Sequence, residues 1–386
     1  MLARTIAEIV EFVTSLLALV GCGYSLFALW AARSFLKPEP PLRADFCPPV
    51  TILKPVKGLD PAMDEAFASH CRQDYAGEYE ILFGVSSLDD PAVAAIERLQ
   101  AAFPERDIRI VLCPEKLGPN GKLSNLVQML PHAKYDHFVL NDSDIAVGRK
   151  YLARMMAPMA DARVGLVTAP YRGRSEASFG SRLEALGIST DFFPGVLVAR
   201  YVEKGIRFGL GSTLAFSRLA LVSAGGFAPL VTQLADDYEL GARIAKAGFR
   251  VHLSHEVVET SVPKYKFADF AAHQLRWART VRASRPGGYF GLMVTYGLAW
   301  ATLNLIASAG NPVSLALFSL VFLTRMGMAL GIGVGILGDR QVMRYLWMLW
   351  PRDVIALGLW MWAYASDTVV WRGERFRLRK GELVKE

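Results

Sequence analysis

Two stretches concentrate carboxylates where chemistry could use them. The first, His137-Phe-Val-Leu-Asn-Asp142-Ser-Asp144, is an apolar run ending in Asp-x-Asp. Residues two apart in extended chain share a face, so Asp142 and Asp144 project the same way. Paired hard oxygens at the end of a strand suit Mg2+ or Mn2+ carrying a diphosphate. A solvated Asp/Ser turn is the plainer alternative. The second stretch, Leu234-Ala-Asp236-Asp237-Tyr-Glu239-Leu240, follows Gly225-Gly226-Phe227 and opens a helix expected over Tyr238–Ala247. A carboxylate here is either a general base facing a cleft or a partner for the helix N-terminus.

Candidate anion binders lie on both sides of these acids. Glu115-Lys116-Leu-Gly118-Pro-Asn120-Gly-Lys122-Leu-Ser-Asn125-Leu126 is a Gly/Pro/Asn loop entering a helix that carries a lysine. It is a plausible phosphate cradle, but not the GxxxxGK[ST] loop. Asp89-Asp90-Pro91 follows the apolar run Tyr79–Val85. It reads as a base or ribose contact, or as a helix start with proline in its first turn. His273-Gln-Leu-Arg276-Trp277 shares a helical stretch with Arg279, Arg282 and Arg285. Arg276 could neutralise a departing diphosphate while Trp277 shapes an acceptor pocket. A basic helix at a membrane surface would have the same composition. His255, after an expected strand Phe249–Leu253, is a metal-ligand candidate or a structural histidine.

The elements that must position these groups alternate. Val50–Leu53, Tyr79–Val85, Ile108–Leu112, His137–Leu140 and Val164–Thr168 read as buried strands, with helical patterns such as Pro91–Phe103 and Leu123–Leu130 between them. Alternation predicts an α/β domain with a mostly parallel sheet and a ligand site beyond the carboxyl ends of its strands. Around this domain the composition changes. The 386 residues are 52% hydrophobic and only 20% charged, with a mean hydropathy of +0.26. That excludes disorder and a disulfide-stapled scaffold. The four cysteines have no zinc spacing.

Phe12–Ala32 is free of charge and long enough to cross a bilayer. Arg33, Lys37 and Arg43 follow it and predict a cytoplasmic domain next. No charge occurs from Pro286 to Thr324, a stretch broken at Gly310-Asn311-Pro312. Tyr345–Trp371 is apolar but holds Pro351-Arg352-Asp353, the expected site of a re-entrant or interfacial segment. The tail carries Arg372, Arg375, Arg377, Arg379 and Lys380 and is expected to end in the cytoplasm. The division is therefore an anchor and linker over 1–44, a cytoplasmic domain over 45–285, and membrane segments with a basic tail over 286–386. The net charge of +7 belongs to this topology rather than to nucleic-acid binding.

In order, Ile52-Leu-Lys54-Pro-Val-Lys57-Gly58, Asp89-Asp90-Pro91, the Lys116–Leu126 loop, Asp142-Ser-Asp144, Asp236-Asp237-Tyr238 and Arg276-Trp277 resemble the ceramide glucosyltransferase family. These are family 2-like and family 21 glycosyltransferases of GT-A fold, and they include bacterial hopanoid-biosynthesis enzymes. The resemblance implies a GT-A domain with transmembrane helices at both ends, in the inner membrane. It implies transfer of a hexose from a UDP-sugar to a membrane lipid, ceramide or hopanoid, with a β-linked glycolipid as product. Lys54, Asp89, Asp90, Lys122, Asn125 and Asp142 would bind the nucleotide sugar. Asp142 and Asp144 would hold Mn2+ or Mg2+. Asp237 would be the base, with Arg276 and Trp277 closing the family's (Gln/Arg)-x-x-Arg-Trp motif. This sequence departs at the motif's first position, which is His273. A processive polysaccharide synthase of the cellulose or hyaluronan type shares the acidic motifs and is the rival reading.

Overall fold

A computed structural model describes residues 2–37, 45–371 and 373–385; Arg43 and Arg372, used above for topology, lie outside the described residues. The chain forms two compact units, each discontinuous in sequence. A sheet unit comprises Pro38–Glu176, Glu203–Pro263 and Gly381–Glu386, and a helical unit comprises Met1–Lys37, Ala177–Val202 and Lys264–Lys380. Residues 177–202 and 264–285 therefore pack with the membrane-like segments, although they fall inside the 45–285 stretch.

The strands of the sheet unit are β1 (Val50–Pro55), β2 (Tyr79–Val85), β3 (Asp107–Leu112), β4 (His137–Asn141), β5 (Ile145–Ala146), β6 (Val164–Thr168), β7 (Tyr171–Ser175), β8 (Thr213–Ser217), β9 (Arg250–Leu253) and β10 (Val258–Val262). The main sheet has the order β3-β2-β1-β4-β8-β6-β9. All its pairings are parallel except those of β8, which runs against β4 and β6. β2 and β6 are buried at every residue, which is why their sequences show continuous apolar runs and not alternation. Phe138 of β4 and Phe216 of β8 pair across the strands, ring centroids 5.6 Å apart. β5, β10 and β7 form a second small sheet.

The order places β1 between β2 and β4, so the chain switches direction across the sheet there. Such a switch point opens a crevice at the strands' carboxyl ends. Asp142 and Asp144 follow β4 at that crevice.

In the helical unit, Thr5–Phe35 and Pro312–Val334 are long and apolar enough to cross a membrane, each with mean hydropathy 1.9. Pro286–Thr295 and Gly297–Ala307 together make a third if the pair, bent by 54°, is one span. The break expected at Gly310-Asn311-Pro312 is present. Asn311 caps the next helix by accepting from the Ser314 N–H at 2.8 Å, and Pro312 occupies its first turn. The helix Leu349–Trp362 has only 14 residues and buries Arg352 and Asp353, so it falls short of a bilayer's thickness. The first helix meets the bent pair closely. A Cβ on Gly21 would stand 2.5 Å from the Gly297 Cα, the small-residue contact that lets membrane helices approach. Asn304 adds polar ties, donating to the Glu11 carbonyl at 2.9 Å and the Ser15 hydroxyl at 2.8 Å.

Candidate active site

The Asp142-Ser-Asp144 turn gives its two carboxylates unlike surroundings. The Asp142 side chain is 44% exposed and pairs with Lys122 Nζ at 2.8 Å. Asp144 is half-buried, and the Thr260 hydroxyl of β10 donates to its carboxylate. Burial, with Asp142 and Asp60 close by, pushes the Asp144 carboxyl up to about 7. Ser143 donates to Asp60, a carboxylate the motif reading passed over. Lys54 lies beneath the turn. It is fully buried, donates from Nζ to the Asp142 carbonyl at 3.3 Å, and sits 5.7 Å from the Phe67 ring centroid. Burial pulls its pKa down to about 7 against the attraction of Asp144 and Asp142. Lys54 thus acts on the loop's main chain.

The helix Gly121–Met129 supplies the next group. Asn120 caps it, accepting from the Leu123 N–H at 3.1 Å. Lys122, in its first turn, reaches Asp142 at 2.8 Å and Asp236 at 3.2 Å. Burial opposes the lysine's charge, but Asp142 and Asp236 outweigh it and raise its pKa. Asn125 faces inward instead. It donates to the Gly84 carbonyl at 3.2 Å and accepts from the Ser86 hydroxyl at 3.1 Å, tying this helix to the end of β2. Asp90 is used twice by the main chain: it caps the helix Pro91–Ala102 and accepts from the Gly58 N–H at 2.9 Å. Asp89 is exposed and contacts only the neighbouring Ser87 in the described bonds.

Asp236 and Asp237 open the helix Asp236–Lys246, and no side chain caps that helix. Asp236 turns to the lysine helix, pairing with Lys122 and accepting from Asn120 Nδ2 at 3.3 Å. Asp237 turns to a glycine loop. A Cβ on Gly211 would stand 2.8 Å from Asp237 Oδ2, and one on Gly209 would stand 2.8 Å from the Asp237 carbonyl. Only glycine leaves the carboxylate this position. Burial, reinforced by Asp236, pushes the Asp237 carboxyl up to about 7, and Lys122 offsets part of that rise. The side chains of Phe208 and Tyr238 stack beside it at 5.8 Å.

The sheet unit thus gathers Lys54, Lys122, Asp142, Asp144, Asp236 and Asp237. Carboxylate is in excess, and Asp142 and Asp144 offer hard oxygen donors that fit a divalent cation. Among the described residues no group of three His, Cys, Asp or Glu side chains could hold a metal, so His255 does not join them. Arg276 and Trp277 belong to the helical unit, on the helix Phe267–Ser284. Burial lowers the Arg276 pKa. One turn earlier, His273 Nδ1 lies 2.9 Å from Glu184 Oε2, and its ring is 5.0 Å from that of Trp277. Glu184 was not visible as a partner in the sequence, because 89 residues separate the two.

The family model for glycosyl transferase family 21 matches residues 13–384. The chain belongs to that family. Relatives with which it aligns include a ceramide glucosyltransferase of Gibberella zeae, 31% identical over 42% of this chain and 34% of the relative. Ceramide glucosyltransferase 3 of Caenorhabditis elegans is 25% identical over 71% of this chain and 61% of the relative. The chain therefore spans about a third and three-fifths of the length of these two relatives. Among solved structures, the mannosyltransferase PcManGT of Pyrobaculum calidifontis, in complex with GDP-Man and Mn2+, superposes with a TM-score of 0.57. It is 22% identical, covering 92% of this chain and 99% of that one. That likeness shows the fold, a GT-A glycosyltransferase architecture.

Proposed function

We propose that this family 21 protein transfers a hexose from a UDP-sugar to a hydroxyl of a membrane lipid, ceramide or hopanoid in type, with inversion. The observation that carries the reading is Asp237. It is a carboxylate held against a glycine loop, with its pKa near neutrality, while its neighbour Asp236 takes the structural bonds. A base poised near the working pH is what proton removal from an alcohol needs.

In one displacement the lipid oxygen attacks the anomeric carbon and its proton passes to the Asp237 carboxylate. The bond from that carbon to the diphosphate breaks, and its electron pair leaves with UDP. Lys122 orients Asp142 and Asp236, and Lys54 fixes the turn between Asp142 and Asp144. Asp89 is the exposed acid for the nucleoside. Asp142 and Asp144 would hold Mn2+ or Mg2+, which when bound supplies positive charge to the diphosphate. Arg276 adds a second cation for the leaving group, and Trp277 with His273 shapes the acceptor side.

The helical unit supports a lipid acceptor and a place in the inner membrane. Residues 203–263 and 381–386 pack in one unit, so they share one side of a bilayer and an even number of crossings separates them. Pro312–Val334 would be one crossing and the bent pair over 286–307, taken as one span, the other. Arg33 and Lys37 at the end of the first helix, with Arg375, Arg377, Arg379 and Lys380 in the tail, support the cytoplasm as that side. Incubating the protein with a panel of UDP-sugars and lipid extracts, followed by mass spectrometry of the lipids, tests the reading. A lipid one hexose heavier is expected. A polymer made without added lipid would instead mark a processive synthase, and no glycosylated product would end the proposal.

A further inference from the structure

We infer that the strand Glu382–Lys385 is a clasp that positions the catalytic base, an inference that rests on the reading of Asp237 as that base. The segment 231–235 leads directly into Asp236 and Asp237 and belongs to no helix. Its main chain is held from two sides. On one side stands Asn120, whose N–H donates to the Val231 carbonyl at 2.9 Å and whose Nδ2 donates to the Gln233 carbonyl at 2.9 Å. On the other stands the tail. The Leu383 N–H donates to the Thr232 carbonyl at 2.7 Å, and the Leu234 N–H donates to the Gly381 carbonyl at 3.3 Å. Gln233 and Glu382 face each other as an antiparallel bridge.

The carbonyls of this turn divide between the two sides: those of Val231 and Gln233 go to the lysine helix's cap, while that of Thr232 goes to the tail. Without the tail, the described holds left on this segment are those of Asn120 and local turn bonds, such as that from the Gln233 N–H to the Leu230 carbonyl at 2.9 Å. Leu383 and Leu234 are both buried, so these hydrogen bonds are shielded from water. The tail touches none of Asp142, Asp144 or Lys122 in the described bonds, so its effect falls on the base and not on the donor. Misplacing a reacting group by about 1 Å can cost on the order of 10²-fold in rate.

The test uses the full-length protein in detergent or nanodiscs. Leu383→Pro removes the N–H that bonds Thr232, whereas Leu383→Val keeps it. Leu383→Pro is expected to lower kcat about tenfold or more while the KM for UDP-sugar and the Kd for UDP stay within about twofold. Leu383→Val should keep kcat near wild type. Because the proline variant could lose its fold, a cross-link supplies the second arm. Paired positions of an antiparallel bridge lie within disulfide reach. Gln233→Cys with Glu382→Cys, added to Leu383→Pro, should recover kcat when oxidised and lose it again on reduction. An unchanged kcat in Leu383→Pro, or an equal loss of UDP binding, overturns the clasp. So does a cross-linked variant that fails to recover. Failure of the base reading looks different: Asp237→Asn would then keep full turnover, whatever the tail variants do.

Discussion

Two clusters of buried charge, one in each unit, are treated in opposite ways. In the helical unit, Arg325 donates from Nε to Asp353 at 3.0 Å, from Nη2 to the same carboxylate at 2.9 Å, and from Nη1 to the Thr190 carbonyl at 3.0 Å. Asp191 accepts from both Arg325 and Arg352, and Arg352 also donates to the Leu183 carbonyl at 3.0 Å. Two guanidiniums face two carboxylates, and the charge closes on itself. In the sheet unit four aspartates share Lys122 and Lys54, and two of them, Asp144 and Asp237, are pushed to about 7. A charge-balanced cluster can hold helices in register. An unbalanced one is what the proposed function needs, to accept a cation and to move a proton. Buried charge alone therefore does not mark a reactive site; the surplus does.

Removing that cation breaks the comparison most severely. EDTA is expected to abolish transfer, and Mn2+ or Mg2+ to restore it, while the melting temperature of the helical unit is unchanged. Asp144→Ala should lose activity and stay folded, because no core packs on that carboxylate. Full activity in chelator would remove Asp142 and Asp144 from any metal role.

Asp237→Asn comes next. Turnover should fall by about 10²–10⁴-fold, the usual share of a general base. UDP affinity should barely move, since the proposed nucleotide contacts lie on Asp89 and Asp142. A loss of UDP binding equal to the loss of rate would show that Asp237 holds the donor instead.

Breaking the balanced cluster has a different readout. Asp353→Asn leaves Arg325 short of a charge partner in an apolar surround and should cost about 3–5 kcal/mol of stability. The double change Arg325→Met with Asp353→Leu removes the pair together, leaves Arg352 with Asp191, and should come out near neutral. Chemical denaturation in detergent separates the two. If the double variant is as damaged as the single one, the network does more than balance charge.

How much of this was legible in the sequence differs between the same two regions. Strands β1, β2, β4 and β6 stood out because buried parallel strands are runs of apolar residues. Asp142-Ser-Asp144 and Asp236-Asp237 stood out because acids at strand and helix ends are few. β7 and β10 were not read, since Arg172, Arg174 and Glu259 interrupt them, and β5 has only two residues; the polar residues of β7 and β10 pair across the small sheet, Arg172 with Glu259 at 3.1 Å. The resemblance named Asp237 of its pair as the base and left open which of Asp89 and Asp90 meets the nucleotide. Asp90 and Asp236 proved to be bonded by main chain or lysine, and no local pattern announces a partner 32 or 116 residues away. Arg325 and Asp353 were visible as isolated membrane charges. That they meet each other and Asp191 depends on the fold of residues 177–202, which helical periodicity alone does not place.

In the sheet unit's cluster, activity and stability respond to pH in opposite senses. A base must be ionised, so turnover should rise about tenfold per pH unit below 7 and level off above it. Stability runs the other way. Folding raises the Asp144 and Asp237 carboxyls from 3.8 to about 7, so the folded state binds protons more tightly than the unfolded one. Their contribution is full below pH 3.8 and is lost as pH climbs toward 7. The metal-free, substrate-free protein should therefore lose stability over the range in which activity grows. An activity profile flat from pH 5 to 8 would show that Asp237 does not titrate in the rate-limiting step.

The smallest effect belongs to Asp236, and it decides the register of the acidic pair. Its carboxylate accepts from Asn120 Nδ2 at 3.3 Å and pairs with Lys122 at 3.2 Å. Asparagine keeps an oxygen for the first bond and gives up the charge for the second. Lys122 retains Asp142 at 2.8 Å, so it is not left alone. Asp236→Asn should then cost about 1 kcal/mol, the net worth of one such bond, and turnover should drop by about tenfold at most. It should also lower the Asp237 pKa, because Asp236 is one of the charges that raises it. The acid limb of the pH profile should accordingly shift to lower pH. Asp237→Asn cannot show that shift, having no carboxyl left to titrate. If Asp236→Asn is the inactive variant and Asp237→Asn stays close to wild type, the base is Asp236, and the glycine loop around Asp237 serves the fold alone.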